Sequence, residues 1–468
     1  MSALPSISTY IPPLQRLEDL CDPGTLELLD LEREATNVIP ARGEVNGRAI
    51  ACYVQDATIA GGSVGAAEAD AIVRAIRHSR ETGIPIVGLI ESGGARLQEG
   101  TGGLAGYGRI FYETVALSGW APQISVITGL AAGGGCYSPA LTDFVVMSGE
   151  ASMFLTGPRI VRHALGEEVT IDELGGARVH QRNGVCDFVA ADDRAAVALV
   201  RDLLGYLPQN TSQPTFTIPA KPPPGGAPHA PLPARRRSYY DVRDVIRALV
   251  DGGRTLEVSP QWARNVVGCF ARLEGRPIGV LANQARYLGG IIDVAASQKA
   301  AKFVRTCDVF GLPLLVLVDT PGFMPGTRQE SEGVIRHGAD LVRSFAAARV
   351  PRVTVVLRKA FGGAFIAMNS KDLGATASFS WPDAEVGVMS SGAAVEILHR
   401  RQLAAGAPEG MADELAGRYA EEHLSPAAAL GRGAIDAVIT PEETRDRVSV
   451  AFRSAAEPVR GPRSVNGR

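Results

Sequence analysis

Two runs in this chain, Ser92-Gly93-Gly94-Ala95-Arg96 and Leu130-Ala131-Ala132-Gly133-Gly134-Gly135, each follow an apolar stretch and precede a helix-compatible one. A helix start presents unpaired N–H groups at the positive end of its dipole. Without a Cβ in the way, an oxygen can approach such amides closely, and two amides aimed at one oxygen form an oxyanion hole for an enolate or a tetrahedral intermediate. The arrangement recurs at Pro321-Gly322-Phe323 and Phe361-Gly362-Gly363-Ala364. A lone Gly-Gly pair also serves tight strand–helix packing, whereas equivalent pairs in two copies point to function. A phosphate cradle is excluded on detail: there is no GxxxxGK[ST], and no GxGxxG opens a βαβ unit followed by a suitable acidic residue.

Side-chain catalysts are scarce. The seven histidines (His78, His163, His180, His229, His337, His399, His423) show no metal spacing such as HExxH, and no metal is expected. Ser92 lacks the GxSxG elbow. Glu91 and Asp319 end apolar strands in equivalent positions and are expected to cap the loops that follow. A protein rich in amide cradles and poor in side-chain bases implies that a cosubstrate brings the base.

The elements that must position these loops are written twice. Gly47-Arg48 matches Gly275-Arg276, Gly61-Gly62 matches Gly289-Gly290, and Gly83 matches Gly311, all at a shift of 228 (275 − 47, 289 − 61, 311 − 83). Pro122 matches Pro351 and Gly133-Gly134 matches Gly362-Gly363 at a shift of 229 (351 − 122, 362 − 133). Five matches in order mean duplication. Each copy predicts a hairpin, a helix (66–82; 294–309), an apolar strand (86–90; 314–318), a second helix (107–118; 335–348) and a second strand (124–127; 353–357) running into the Gly-Gly loop. Alternating strands and helices define an α/β fold with largely parallel strands, in which ligands bind beyond the strand C-termini.

With 468 residues, two domains are expected: 1–207 and 238–456, joined by a Pro-rich linker at 208–237 and followed by a flexible tail at 457–468. The composition, 46% hydrophobic and 21% charged with a formal net charge of −3, is that of a soluble globular protein and gives no reason to expect nucleic acid or an anionic membrane as partner. The start MSALPSISTYIPP lacks a targeting pattern, and six scattered cysteines without a CxxC pair fit a reducing, cytoplasmic setting.

Several runs together resemble the carboxyltransferase β subunits of multi-subunit acetyl- and propionyl-CoA carboxylases. They are IAGGSVGAAEAD, ESGGARLQEG, PQISVITGLAAGGGCYSPALTDF, FLTGPRIV with GEEVTIDELGGA, VLANQARYLGGIIDVAASQKAAKFVRTCDVFGLPLL, DTPGFMPGTRQE, RKAFGGAFIAMNSKDLGA and SWPDAEVGVM. The resemblance implies two tandem crotonase-like domains and a homohexamer, a trimer of dimers. Its active sites lie where the N-terminal half of one subunit faces the C-terminal half of another. It implies transfer of a carboxyl group from carboxybiotin to a short-chain acyl-CoA. Gly133 and Gly134 would serve the oxyanion on the acyl-CoA side, Gly363 and Ala364 on the biotin side, with Gly322, Phe323 and Gly362 beside them. Ala60, Gly61, Gly62, Gly94, Ala95 and Arg96 would line the CoA groove. Ile366 would sit where the family discriminates acyl chains, its apolar character resembling members that use acetyl-CoA or both acetyl- and propionyl-CoA. The chain departs from the usual pattern at Gly135, Ser390 and Arg328. It carries no Met-Lys-Met biotinylation site, so the biotin carboxylase and biotin carrier are expected on an α subunit, with room for a small ε-type accessory subunit. Alternatives are a biotin-dependent acyl-CoA decarboxylase α subunit, a carboxylase of an unusual acyl-CoA, and an assembly subunit with a dead site.

Overall fold

The computed structural model describes residues 11–29, 36–225, 228, 232–233, 238–405 and 408–455. The chain divides into two compact units between Pro214 and Thr215. The first carries β1 (Glu27–Leu28), β2 (Val38–Val45), β3 (Arg48–Gln55), β4 (Ile86–Ser92), β5 (Gln123–Ala132), β6 (Phe144–Ser148), β7 (Ser152–Phe154) and β8 (Phe188–Ala190). They form one sheet in the order β1-β2-β3-β4-β5-β6-β8, with β7 beside β5. The second unit carries β9 (Thr255–Val258), β10 (Val266–Leu273), β11 (Arg276–Asn283), β12 (Leu314–Thr320), β13 (Arg352–Phe361), β14 (Ala377–Ser380), β15 (Glu385–Gly387) and β16 (Ala437–Val438). Its order is the same, β9-β10-β11-β12-β13-β14-β16 with β15 beside β13. In each sheet the first three strands are antiparallel and the rest parallel.

The duplication extends to the backbone. β2 and β10 start 228 residues apart (266 − 38), and β5 and β13 start 229 apart (352 − 123). Asn46-Gly47 and Glu274-Gly275 both take left-handed conformations (φ 53° and 71°; 51° and 79°), which closes the tight hairpin in each unit. The helix Ala66–Thr82 begins with the Glu68 carboxylate accepting the Gly65 N–H (2.9 Å) and stops at left-handed Gly83 (φ 65°). Its copy Val294–Val309 begins with Asp293 accepting the Ala296 N–H (2.8 Å). Ile72 and Ile76 of the first of these helices bury with Ile110 of the helix Thr101–Leu117 against Ala51 and Tyr53 of the sheet. Each such isoleucine contributes about 2 kcal/mol of burial.

Both long helices after the hairpins have the expected bounds. The central strands run further than expected, to Ser92, Ala132, Thr320 and Phe361. The residues just past the expected ends, Glu91, Thr128, Asp319 and Arg358, are polar, so apolar patterning ended too early. The helix expected at 107–118 starts at Thr101. Gly106 in it is a packing position: a Cβ there would sit 2.8 Å from the Cβ of Ala69.

In the Pro-rich segment, residues 215–224 form no helix or strand. They are nonetheless fixed to the second unit. Ile218 donates to Gly275 O (3.1 Å), Gly252 donates to Pro222 O (3.0 Å), and Arg272 donates to Phe216 O (3.0 Å). Residues 226–227, 229–231 and 234–237 of that segment, and the tail 457–468, lie outside the described residues. All six cysteines are buried and free, and no helix among the described residues is long and apolar enough to cross a membrane.

The turn Ala60–Gly62 offers a clean contrast. A Cβ on Gly62 would lie 2.1 Å from Glu91 O, whereas one on Gly61 would meet nothing within 4 Å, and both have positive φ (66° and 61°). Gly61→Ala is expected to cost about 1 kcal/mol and Gly62→Ala about 3 kcal/mol, read as shifts in the denaturant midpoint. Equal shifts would refute the close approach.

Candidate active site

In the first unit the ends of β4 and β5 converge. Ser92, at the end of β4, is buried; its Oγ donates to Gly62 O (2.9 Å), accepts the Gly94 N–H (3.2 Å) and lies 3.2 Å from the Tyr107 hydroxyl. A Cβ on Gly94 (φ 97°) would stand 3.0 Å from Ala132 O, so only glycine lets the two loops meet this closely. Val64 pairs alongside through Val64 N–H to Gly94 O (2.8 Å) and Arg96 N–H to Val64 O (2.9 Å). These bonds flank Ala95 and leave its own N–H outside that ladder.

Gly133 (φ 55°) then turns β5 into the short helix Gly134–Ala140. Its N–H donates to Phe154 O of β7 (3.1 Å). Gly133 is therefore the left-handed hinge, and its amide is engaged. The N–H groups of Gly134 and Gly135 open the helix and have no acceptor four residues back. The Tyr107 ring lies behind Gly134, 2.7 Å from where a Cβ would be. Burial pushes the Tyr107 phenol up to about 12 and the neighbouring Cys136 thiol up to about 11. Both stay protonated at neutral pH and act as packing groups.

The second unit repeats this construction. Ile292 N–H donates to Gly322 O (3.0 Å) and Met324 N–H to Ile292 O (2.8 Å), which leaves Phe323 in the place of Ala95. Gly362 (φ 59°) opens the helix Gly362–Ala367, and a Cβ on Gly363 would be 3.8 Å from the Phe323 ring. Gly363 and Ala364 occupy the positions of Gly134 and Gly135 (363 − 134 = 364 − 135 = 229). Ile366, half exposed, projects from the same short helix.

Each amide loop rests on a strained turn. Ala60, Gly61 and Gly62 have φ of 49°, 61° and 66°; Leu288, Gly289 and Gly290 have 49°, 62° and 78°. A left-handed non-glycine residue costs about 1–3 kcal/mol and persists only where its surroundings hold it. Sequence reasoning missed what holds it. Buried Asn37 donates to Ser63 O (2.8 Å) and Ile59 O (3.3 Å), and buried Asn265 donates to Ile291 O (2.7 Å). Their common shift of 228 (265 − 37) was the available signal. Arg96 belongs to this support as well. Its guanidinium donates to Ser63 O (3.0 Å) and pairs with buried Glu68 (2.7 Å), so it braces the turn.

The strand-end carboxylates do not cap the loops with their side chains. Glu91 pairs with buried Arg16 (2.9 Å), which also reaches Asp193 (3.1 Å). Asp319, fully buried, sits between Arg358 (2.9 Å) and Lys359 (3.1 Å). Both are structural anchors. No group of three or more His, Cys, Asp or Glu that could hold a metal occurs among the described residues.

The expected residues Ala60, Gly61, Gly62, Gly94, Ala95, Gly133 and Gly134 thus adjoin one another in the first unit, and Gly322, Phe323, Gly362, Gly363, Ala364 and Ile366 in the second. Two sheets of one topology, each with a central strand that turns at a glycine into a short helix, define a duplicated α/β protein. The chain belongs to the carboxyl transferase family: residues 25–465 match the carboxyl transferase domain. It is 42% identical over 463 residues to the methylmalonyl-CoA carboxyltransferase 12S subunit of Propionibacterium freudenreichii subsp. shermanii, covering 94% of this chain and 88% of the relative. Its identity to the biotin-dependent acetyl-/propionyl-coenzyme A carboxylase beta6 subunit of Mycobacterium bovis is 44% over 460 residues, covering 97% and 96%. The methylmalonyl-CoA decarboxylase subunit alpha of Veillonella parvula is 42% identical over 430 residues, covering 91% and 83%. The crystal structure of transcarboxylase 12S with hydrolysed methylmalonyl-coenzyme A, described as a hexamer assembly, superposes with a TM-score of 0.92 at 40% identity, covering 97% of this chain and 91% of that one.

Gly135 and Gly134 separate packing from backbone need. A Cβ on Gly135 would meet Ser92 at 3.4 Å and the Tyr107 hydroxyl at 3.6 Å, ordinary contacts, without a positive φ. Gly135→Ala is expected to gain about 0.5–1 kcal/mol, because a helical glycine is costly, and to keep activity. Gly134→Val should drive into Tyr107 and abolish transfer; near-normal turnover of that variant would remove Gly134 from the site.

Proposed function

We propose that this chain transfers a carboxyl group from carboxybiotin to a short-chain acyl-CoA, acetyl-CoA and/or propionyl-CoA, giving malonyl- or methylmalonyl-CoA. The observation that carries this reading is the pair of matched amide sites at Gly134-Gly135 and Gly363-Ala364, within a carboxyl transferase family chain. The domain assignment follows the two halves, 1–207 for acyl-CoA and 238–456 for biotin.

On the acyl-CoA side, the Gly134 and Gly135 amides hold the thioester oxygen as charge builds on it during loss of the α-proton. Ala95 N–H is the neighbouring donor. One such donor is worth about 3 kcal/mol, or roughly a hundredfold in rate. Ala60, Gly61, Gly62 and Gly94 keep the groove free of side chains; Gly61 faces open space. On the other side, Gly363, Ala364 and Phe323, with Gly322 and Gly362, fit the planar, polar ureido ring, since the cradle is bare backbone flanked by an aromatic face. When bound, the carboxybiotin group supplies carbon dioxide and a basic ureido nitrogen. No side-chain base is then needed, which agrees with Tyr107 and Cys136 being held protonated.

Further elements of the proposal are a homohexamer arranged as a trimer of dimers and an α subunit carrying biotin carboxylase and biotin carrier. Exposed Leu104, Tyr112 and Ile335 are apolar surface that contact between copies would cover. A small ε-type accessory subunit and a cytoplasmic setting complete it.

The test mixes the purified chain with a biotinylated carrier and biotin carboxylase and measures bicarbonate fixation into acetyl-, propionyl- and butyryl-CoA. Fixation into acetyl- or propionyl-CoA is expected. No fixation, with malonyl-CoA losing carbon dioxide instead, would overturn the forward direction. Ile366→Asp is expected to shift the acetyl-to-propionyl ratio of kcat/KM by about tenfold. An unchanged ratio would make Ile366 ordinary wall.

A further inference from the structure

The two units place the cation that supports this region at different points of the repeat. In the first, Arg96 reaches Ser63 O directly. The equivalent of Arg96 in the second unit is Met324 (96 + 228), which has no charge to offer. The equivalent of buried Ala71 is instead Lys299 (71 + 228), also buried. Its ammonium donates all three of its hydrogens to main-chain carbonyls, Ser259 O (3.0 Å), Trp262 O (2.9 Å) and Val266 O (2.8 Å).

These carbonyls belong to the 259–265 loop between β9 and β10 and to the first residue of β10. Two non-glycine residues in it, Ser259 and Ala263, are left-handed (φ 49° and 44°), a conformation that needs outside support. The loop also carries Asn265, which donates to Ile291 O and lies 3.2 Å from the Asp293 carboxylate. Ile292, next in the chain, is bonded to Gly322 and Met324 on either side of Phe323. A path of hydrogen bonds joined by short stretches of chain therefore runs from the Lys299 ammonium, through the loop and Asn265, to the segment that presents Phe323 beside Gly363.

We propose that Lys299 is the positioning residue of the second unit's amide site, holding the loop so that Asn265 fixes the turn behind Phe323 and Gly363. The role rests on the reading of that unit as the biotin side. Arg96 has the corresponding role on the acyl-CoA side. Each half of the transfer is thus tuned by its own cation, at a different place in the repeat.

The test uses the full chain in the reverse partial reaction, in which methylmalonyl-CoA carboxylates free biotin and propionyl-CoA is measured. Lys299→Met should raise KM for biotin by about tenfold while KM for methylmalonyl-CoA stays within about twofold; Arg96→Met should show the opposite split. Amide hydrogen exchange is the second readout: Lys299→Met should speed exchange at Gly322–Met324 and leave Gly93–Arg96 unchanged. Should Lys299→Met fail to fold, Asn265→Ala carries the same two measurements. Equal movement of both KM values, or exchange that is unchanged at Gly322–Met324, would overturn the proposal. A wild-type chain inactive with every acyl-CoA would sink the proposed function instead, leaving the exchange measurement to judge Lys299.

Discussion

A bare N–H can stabilise charge only if no side chain stands in front of it and no carbonyl behind it has already claimed it. That constraint shapes both units. Gly134 begins a helix because Gly133, one residue earlier, gives its own N–H to Phe154 and bends the chain. The bend is possible because Gly94 lets the neighbouring loop approach Ala132 O at van der Waals limits. Ser92 and Asn37 then secure the turn beneath. Removing any of these supports moves the donors, and a displacement of even 1 Å is costly for catalysis.

Duplication preserved the backbone and let the supports diverge. The left-handed residues of the hairpins, of the turns at 60–62 and 288–290, and at Gly133 and Gly362 recur at the same places in both copies, down to a non-glycine at the head of each turn. The anchoring charges differ. Glu91 is met by an arginine from the helix Pro13–Leu20, while Asp319 is met by Arg358 and Lys359 from the adjacent strand β13. Position 358 corresponds to Gly129 (129 + 229), where a Cβ would press on the Glu91 side chain at 2.5 Å. A glycine there makes room for an incoming arginine; an arginine there supplies the charge itself. Such buried pairs add little net stability, yet breaking one strands a charge, so they fix geometry more than they add energy.

Much of this was legible in the chain. The constant spacing of glycines revealed the repeat, and apolar periodicity placed the helices 66–82 and 294–309 correctly. The Gly loops stood out as candidate sites because the chemistry proposed for them resides in the main chain, which glycine announces. Legibility failed where a contact is long in sequence. Nothing near Glu91 predicts Arg16, 75 residues away. Nothing near Arg96 predicts its partner Glu68 either, 28 residues earlier on a helix face. The engagement of the Gly133 amide by Phe154 likewise spans 21 residues (154 − 133) and left no local sign.

The thiols scattered through the chain acquire a use from where they lie. Cys21, Cys52, Cys136 and Cys186 belong to one unit, Cys269 and Cys307 to the other, and all are buried. Burial holds the thiols of Cys136, Cys269 and Cys307 protonated, so an alkylating reagent reaches them only when the surrounding structure opens. Each half therefore carries an internal clock, and peptide mass alone distinguishes which half has breathed.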